Sequence, residues 1–132
     1  MNCDAILRAH DAARCLRDDG ATVISGFHSP LEKECLRILL RGRQPIIVCP
    51  ARTIDGMRIV GELRPAFEAG RVLFLSPFTD APRRVTRASA RRRNEIVAAL
   101  ADEEFIAHIT SGGEAERLAG LFRQCGVPII SA

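Results

Sequence analysis

The sequence predicts an α/β protein built on a doubly wound parallel sheet of about five strands in the order 3-2-1-4-5, with helices on both faces. Three observations carry this. Short apolar runs, Val23–Ile24, Ile46–Val48, Val72–Leu75, Phe105–Ile109 and Val127–Ile130, alternate with stretches of helical period. The runs are continuous rather than alternating in polarity, as in strands buried on both faces. Glycine or a Ser-Gly pair stands at most junctions. Right-handed crossovers then favour double winding. Strands one and four become neighbours, with the topological switch between them, and ligands of such sheets bind outside the carboxyl ends of the strands at that switch.

The elements follow in order. Cys3 to Asp18 reads as a helix, because Ile6, Ala9, Ala13 and Leu16 recur at spacings of three and four. Gly20 suits its left-handed C-terminal cap. Ala21 to Ser25 is the first strand. Ser29-Pro30-Leu31-Glu32 is a capping box with proline at the first helical position, and it opens a helix from Pro30 to Arg41 with Leu31, Cys35, Ile38 and Leu39 on one face. Pro45 to Cys49 is the second strand and Pro50 to Met57 a loop. Gly61 to Ala69 reads as a short helix ended by Gly70, and Val72 to Leu75 as the third strand. After a turn-rich loop, Pro77 to Pro82, a long helix is expected from Thr86 to Ala101 with Ile96, Val97 and Leu100 on its apolar side. Phe105 to Ile109 is the fourth strand. Ser111 and Glu114 form a second possible capping box before a helix running through Cys125, and Val127 to Ile130 is the fifth strand.

One domain, residues 1–132, is expected from this length, without repeats or linkers. Hydrophobic residues make up 47% and charged residues 27%, ordinary for a globular protein. No apolar run approaches the ~20 residues of a membrane span, and no apolar leader stands near Asp4, so a cytoplasmic protein is expected. The five cysteines are widely spaced and form no CxxC or zinc-ribbon pattern, and no His/Asp/Glu/Cys group has metal spacing. Neither a P-loop nor a Gly-x-Gly-x-x-Gly pattern is present, and no cofactor is expected. Net charge is only +3, yet Arg83, Arg84, Arg87, Arg91, Arg92 and Arg93 fall within eleven residues. Lys33 is the single lysine. There is no Trp or Tyr, which weighs against an aromatic platform for stacking bases.

Two Ser/Gly turns, Ser25–Ser29 and Thr110–Gly113, would meet at the switch, each opening a helix whose unpaired N–H groups suit an anion. Glu32 and Glu114 oppose that reading, since a carboxylate at a helix start competes for the same N–H groups; they would instead take ribose hydroxyls or simply cap.

Ser25-Gly26 after strand one, Arg93-Asn94-Glu95-Ile96-Val97-Ala98-Ala99-Leu100-Ala101-Asp102 before strand four, and Ser111-Gly112-Gly113 after it resemble the Rossmann-like domain of the DprA/Smf DNA-processing family. The layout is shared with the related LOG (SLOG superfamily) and lysine-decarboxylase-like nucleotide-binding proteins. The resemblance spans roughly residues 22–130. It departs where Phe27-His28-Ser29-Pro30-Leu31-Glu32 replaces a Gly-Ile-Asp turn, and where Ser111-Gly112-Gly113-Glu114-Ala115-Glu116 replaces the LOG Pro-Gly-Gly-x-Gly-Thr turn and leaves the glutamate register open.

The resemblance implies a pocket for a nucleotide-like small molecule or single-stranded DNA, formed by Ser25, Gly26, Phe27, His28, Ser29, Arg93, Asn94, Ser111, Gly112, Gly113 and Glu116, in a homodimer. Arg93 would point into the crevice and pair with phosphate through its guanidinium fork. Arg91 and Arg92 fall on other faces of the helix. His28, His10 and His108 read more readily as structural groups than as acid or base, and no catalytic residue is identified. Three functions stay open: a non-catalytic module binding a nucleotide or nucleic acid, a LOG-like nucleoside monophosphate phosphoribohydrolase using Arg93 and Glu116, and an interaction protein with a degenerate pocket.

Overall fold

A computed structural model describes residues 3–101, 104–106, 124 and 129–131 of the chain. The elements run α1 (Cys3–Asp18), β1 (Val23–Ser25), α2 (Pro30–Leu40), β2 (Ile46–Val48), α3 (Arg64–Glu68), β3 (Val72–Phe74), α4 (Arg87–Leu100), β4 (Glu104–Ile106) and β5 (Ile129–Ser131). The α/β class with parallel pairing is as expected. Strands β1, β2 and β3 form one parallel sheet in that order, and β4 pairs in parallel with β5. Pairing of β1 with β4 is not seen among the described residues.

The register places Val23, Ile46 and Val72 side by side, then Ile24, Ile47 and Leu73. The first row faces the larger core, where Phe27, Leu36, Leu39 and Leu63 pack on Ile46, Val48 and Val72. Burying a residue such as Leu39 or Ile46 contributes about 1.5–3 kcal/mol. The second row is less covered among the described residues: Ile24 and Ile47 are half-buried, and Leu73 stays 56% exposed at the sheet edge. A smaller core joins α1 to α2 through Ala9, Ala13, Leu31 and Cys35. Alanines four apart leave α1 a shallow face on which Leu31 and Cys35 seat.

Local chemistry sets the boundaries. Helix α1 ends in a Schellman motif: Gly20 sits at φ 70°, its N–H donates to Arg17 O, and Ala21 N–H donates to Leu16 O. Helix α3 ends the same way at Gly70. Each motif turns the chain directly into a strand. Helix α3 is shorter than the expected 61–69 because residues 61–63 form turns rather than helix. The far end of α2 is held by Arg71, whose guanidinium donates to Leu39 O, Leu40 O and Gln44 O. A cation there also complements the negative end of the helix dipole.

The connections after β2 and β3 are bound to each other. Thr53, 1% exposed, donates through Oγ1 to Thr79 O, and its N–H donates to Pro82 O. Ser76 Oγ donates to Arg52 O. These bonds fix the approach to α4, which opens at Thr86 with a capping box: Thr86 Oγ1 accepts from Ser89 N, and Ser89 Oγ accepts from Thr86 N.

Candidate functional site

The turn after β1 is closed by its own side chains. Ser25 Oγ accepts from Phe27 N at 3.2 Å, and Phe27 takes φ 49° with its ring in the core. Glu32 Oε2 accepts from both His28 N at 2.7 Å and Ser29 N at 2.9 Å, while Ser29 Oγ accepts from Glu32 N. The capping box expected at Ser29 and Glu32 is therefore formed. The competition foreseen for the helix start is also real, since a carboxylate of the chain already takes two of the N–H groups that an anion would use.

The charge at this turn comes from α4. Arg93 lies in a buried stripe with Ser89 and Val97, one residue per turn, and is only 5% exposed. Its Nε donates to Asn94 Oδ1 at 2.7 Å and its Nη1 donates to Cys49 O at 3.2 Å. The guanidinium lies directly over Gly26: a Cβ built on that glycine would stand 1.8 Å from Arg93 Nη1 and 2.4 Å from Cζ. Gly26 is needed for this close approach and not for its backbone angle, which is not in the left-handed region. Arg93 is thereby held at the carboxyl ends of both β1 and β2, the edge where parallel sheets take their ligands.

Burial is the main influence on the guanidinium and lowers its pKa from the ordinary arginine value; the nearby Glu32 and Cys49 act in the opposite sense. Burial likewise raises the Cys49 thiol, opposed by the Arg93 charge. Among the described residues no carboxylate lies within ion-pair distance of Arg93, and no described residue accepts from its Nη2. A charge taken out of water without a counter-ion is costly, and a bound anion would offset that cost.

The structure thus brings together Ser25, Gly26, Phe27, His28, Ser29, Arg93 and Asn94. Ser111, Gly112, Gly113 and Glu116 lie outside the described residues. His28 is exposed, and the described contact it makes runs through its backbone N–H. His10 Nε2 lies 2.8 Å from Glu34 Oε2, a contact that joins α1 to α2 away from this edge. Two partners of Arg93 were missed in the sequence. The Cys49 carbonyl is a backbone group and leaves no trace in residue type. Asn94, expected as a ligand-binding residue, also accepts from its neighbour's Nε, a role its residue type did not announce. No group of His, Cys, Asp or Glu among the described residues could hold a metal ion, and no helix among them is long and apolar enough to cross a membrane.

The other arginines of this stretch face outward. Arg83, Arg84, Arg87, Arg91 and Arg92 are exposed. A depression of about 490 Å³ runs along α4, lined among the described residues by Arg87, Ala88, Arg91, Arg92 and Glu95.

The fold and this edge define a class: a parallel α/β domain with a guanidinium buried at the carboxyl ends of its strands. Among solved structures, the chain is similar to DNA processing protein A from Helicobacter pylori, a structure described for its single-stranded DNA binding mode. The TM-score is 0.77 at 19% identity, over 99% of this chain and 60% of that one, so this fold accounts for only part of the larger protein. No family model matches the sequence, and no curated protein matches it.

Proposed function

We propose that the chain is a non-catalytic nucleic-acid-binding module of the DprA-like kind, taking a nucleotide unit of single-stranded DNA, or a similar nucleotide-like ligand, at the edge formed by Ser25–Ser29, Arg93 and Asn94. The carrying observation is Arg93, buried over Gly26 with no carboxylate in ion-pair distance among the described residues. A preorganised guanidinium suits phosphate. The shared fold with a protein described as binding single-stranded DNA supports the same ligand class.

The finer architecture belongs to the same proposal. The β1–β2–β3 and β4–β5 sheets join through β1 and β4 into the order 3-2-1-4-5, which brings Ser111–Gly113 and Glu116 to the same edge. The chain is one domain that works in the cytoplasm as a homodimer. The experiment is equilibrium binding of fluorescent single-stranded DNA and of nucleoside monophosphates, paired with thermal unfolding. A ligand selective for the native state raises the midpoint. Binding lost in Arg93→Ala supports the proposal. No shift with any nucleotide or strand, or binding indifferent to Arg93→Ala, overturns it.

A further inference from the structure

We infer that the outer face of α4 is a phosphodiester track, so that the ligand is a strand several nucleotides long and not a single nucleotide. This rests on the nucleic-acid reading of the Arg93 edge and adds to it a second, separate surface. Helix α4 carries arginines in two environments. Arg93 is buried, whereas Arg87, Arg91 and Arg92 line an open depression of about 490 Å³ on the other side, and Arg83 and Arg84 are exposed on the approach to it.

The spacing suits a chain of phosphates. Arg87 and Arg91 are one turn apart, which puts their Cα atoms roughly 6 Å apart along the axis. Arg92 sits beside Arg91 and widens the row. Glu95 also lines the depression and lies 3.5 Å from Arg92, so the described lining is basic with Glu95 as its acidic member. Ala88, a small exposed residue, also lines the depression and adds no bulk between the arginines.

Composition points to nucleic acid over an anionic membrane. An amphipathic helix that enters a lipid surface needs bulky apolar residues opposite its cations. Here the residues between the arginines are Ala88, Ser89 and Ala90, and the apolar side of α4 is already buried at Val97 and Ala98. With no Trp or Tyr in the chain, the track reads phosphate and not base. Arg93 fixes one nucleotide and the outer arginines hold its neighbours by screened attraction. The two contributions separate by salt.

The test is fluorescence-anisotropy titration with oligothymidylates of 2, 4, 8 and 16 nucleotides, and with thymidine monophosphate, over a salt series. Vesicles of phosphatidylserine and phosphatidylcholine form a further arm. Affinity should rise with length up to the span of the track. Each outer arginine engaged should add about 0.7 to the slope of log affinity against log salt. Arg91→Gln/Arg92→Gln should flatten that slope by about 1.4 and leave thymidine monophosphate binding intact. Arg91→Glu/Arg92→Glu should flatten it further. Thymidine monophosphate binding as tightly as the 16-mer, with an unchanged slope in both double variants, overturns the track and leaves the Arg93 reading standing. Binding to the vesicles but not to the oligonucleotides overturns the choice of occupant. No binding of any nucleotide overturns both readings.

Discussion

Arg93 and Arg92 are adjacent residues of one helix, yet they are physically different groups. Arg92 is solvated and shares its charge with Glu95 at 3.5 Å. Arg93 is 5% exposed, fixed by Asn94 and Cys49, and pressed on a glycine. A solvated arginine is mobile, screened and worth little in any one contact. A desolvated one is fixed, poorly screened and costly until an anion arrives. Residue type therefore says little about an arginine-rich stretch; the position around the helix decides which arginine anchors and which ones steer.

The strongest way to break this contrast is Arg93→Ala. Its loss should weaken binding by about 2–5 kcal/mol, roughly 30-fold or more, as for a truncated buried charge contact. The thermal midpoint should stay level or rise, because the variant removes a buried charge that has no carboxylate within ion-pair distance among the described residues. A large fall in the midpoint with affinity preserved would make Arg93 a structural group. Next in size is Gly26→Ala. The methyl group occupies the seat of the guanidinium, and the flexible end of the side chain gives way, so affinity should fall about tenfold, about 1.4 kcal/mol, with little loss of stability.

Arg87→Gln sharpens the other side of the contrast. It should cost two- to threefold at low salt and nothing at about 1 M, where screening acts over only ~3 Å. The smallest effect concerns the scaffold that both regions share. Burial, with Glu32 and Glu34 nearby, raises the Cys35 thiol from 9.0 to about 11. The unfolded chain gives up that proton first, so the stabilisation is complete below pH 9 and is lost as the pH rises to about 11. A urea midpoint measured across that window should decline in the wild type and decline less in Cys35→Ala.

Much of the frame was legible in the sequence. Helix α1 has its expected bounds, and Ser29-Pro30-Leu31-Glu32 forms the capping box that its residue types imply. Strand ends were read one or two residues too long: Cys49 and Leu75 continue the apolar pattern and still donate to Ser25 O and Val48 O across the sheet, but they lie one residue beyond the strands. The cap at Thr86 was missed because its third residue is Ser89 and not the usual Glu or Gln. The latch of Thr53 on Thr79 and Pro82 joins loops about 26 residues apart through backbone carbonyls, which have no pattern to read. At the site, Arg93 was singled out from the resemblance of its helix to the DprA/Smf pattern, and it is 5% exposed. Its seat on Gly26 was not foreseen, since a Ser-Gly turn looks the same whether the glycine serves a bend or a neighbour.

That seat makes positions 26 and 93 dependent on each other in descent. A side chain at 26 is harmful while the arginine is present, and close to neutral once it has gone. The reverse order crosses a poorer intermediate. Lineages that abandon the ligand should lose Arg93 first and only afterwards accumulate side chains at 26. Gly26→Ala placed on Arg93→Ala should then add almost nothing to affinity or stability, a departure from additivity that a double-mutant cycle would read directly.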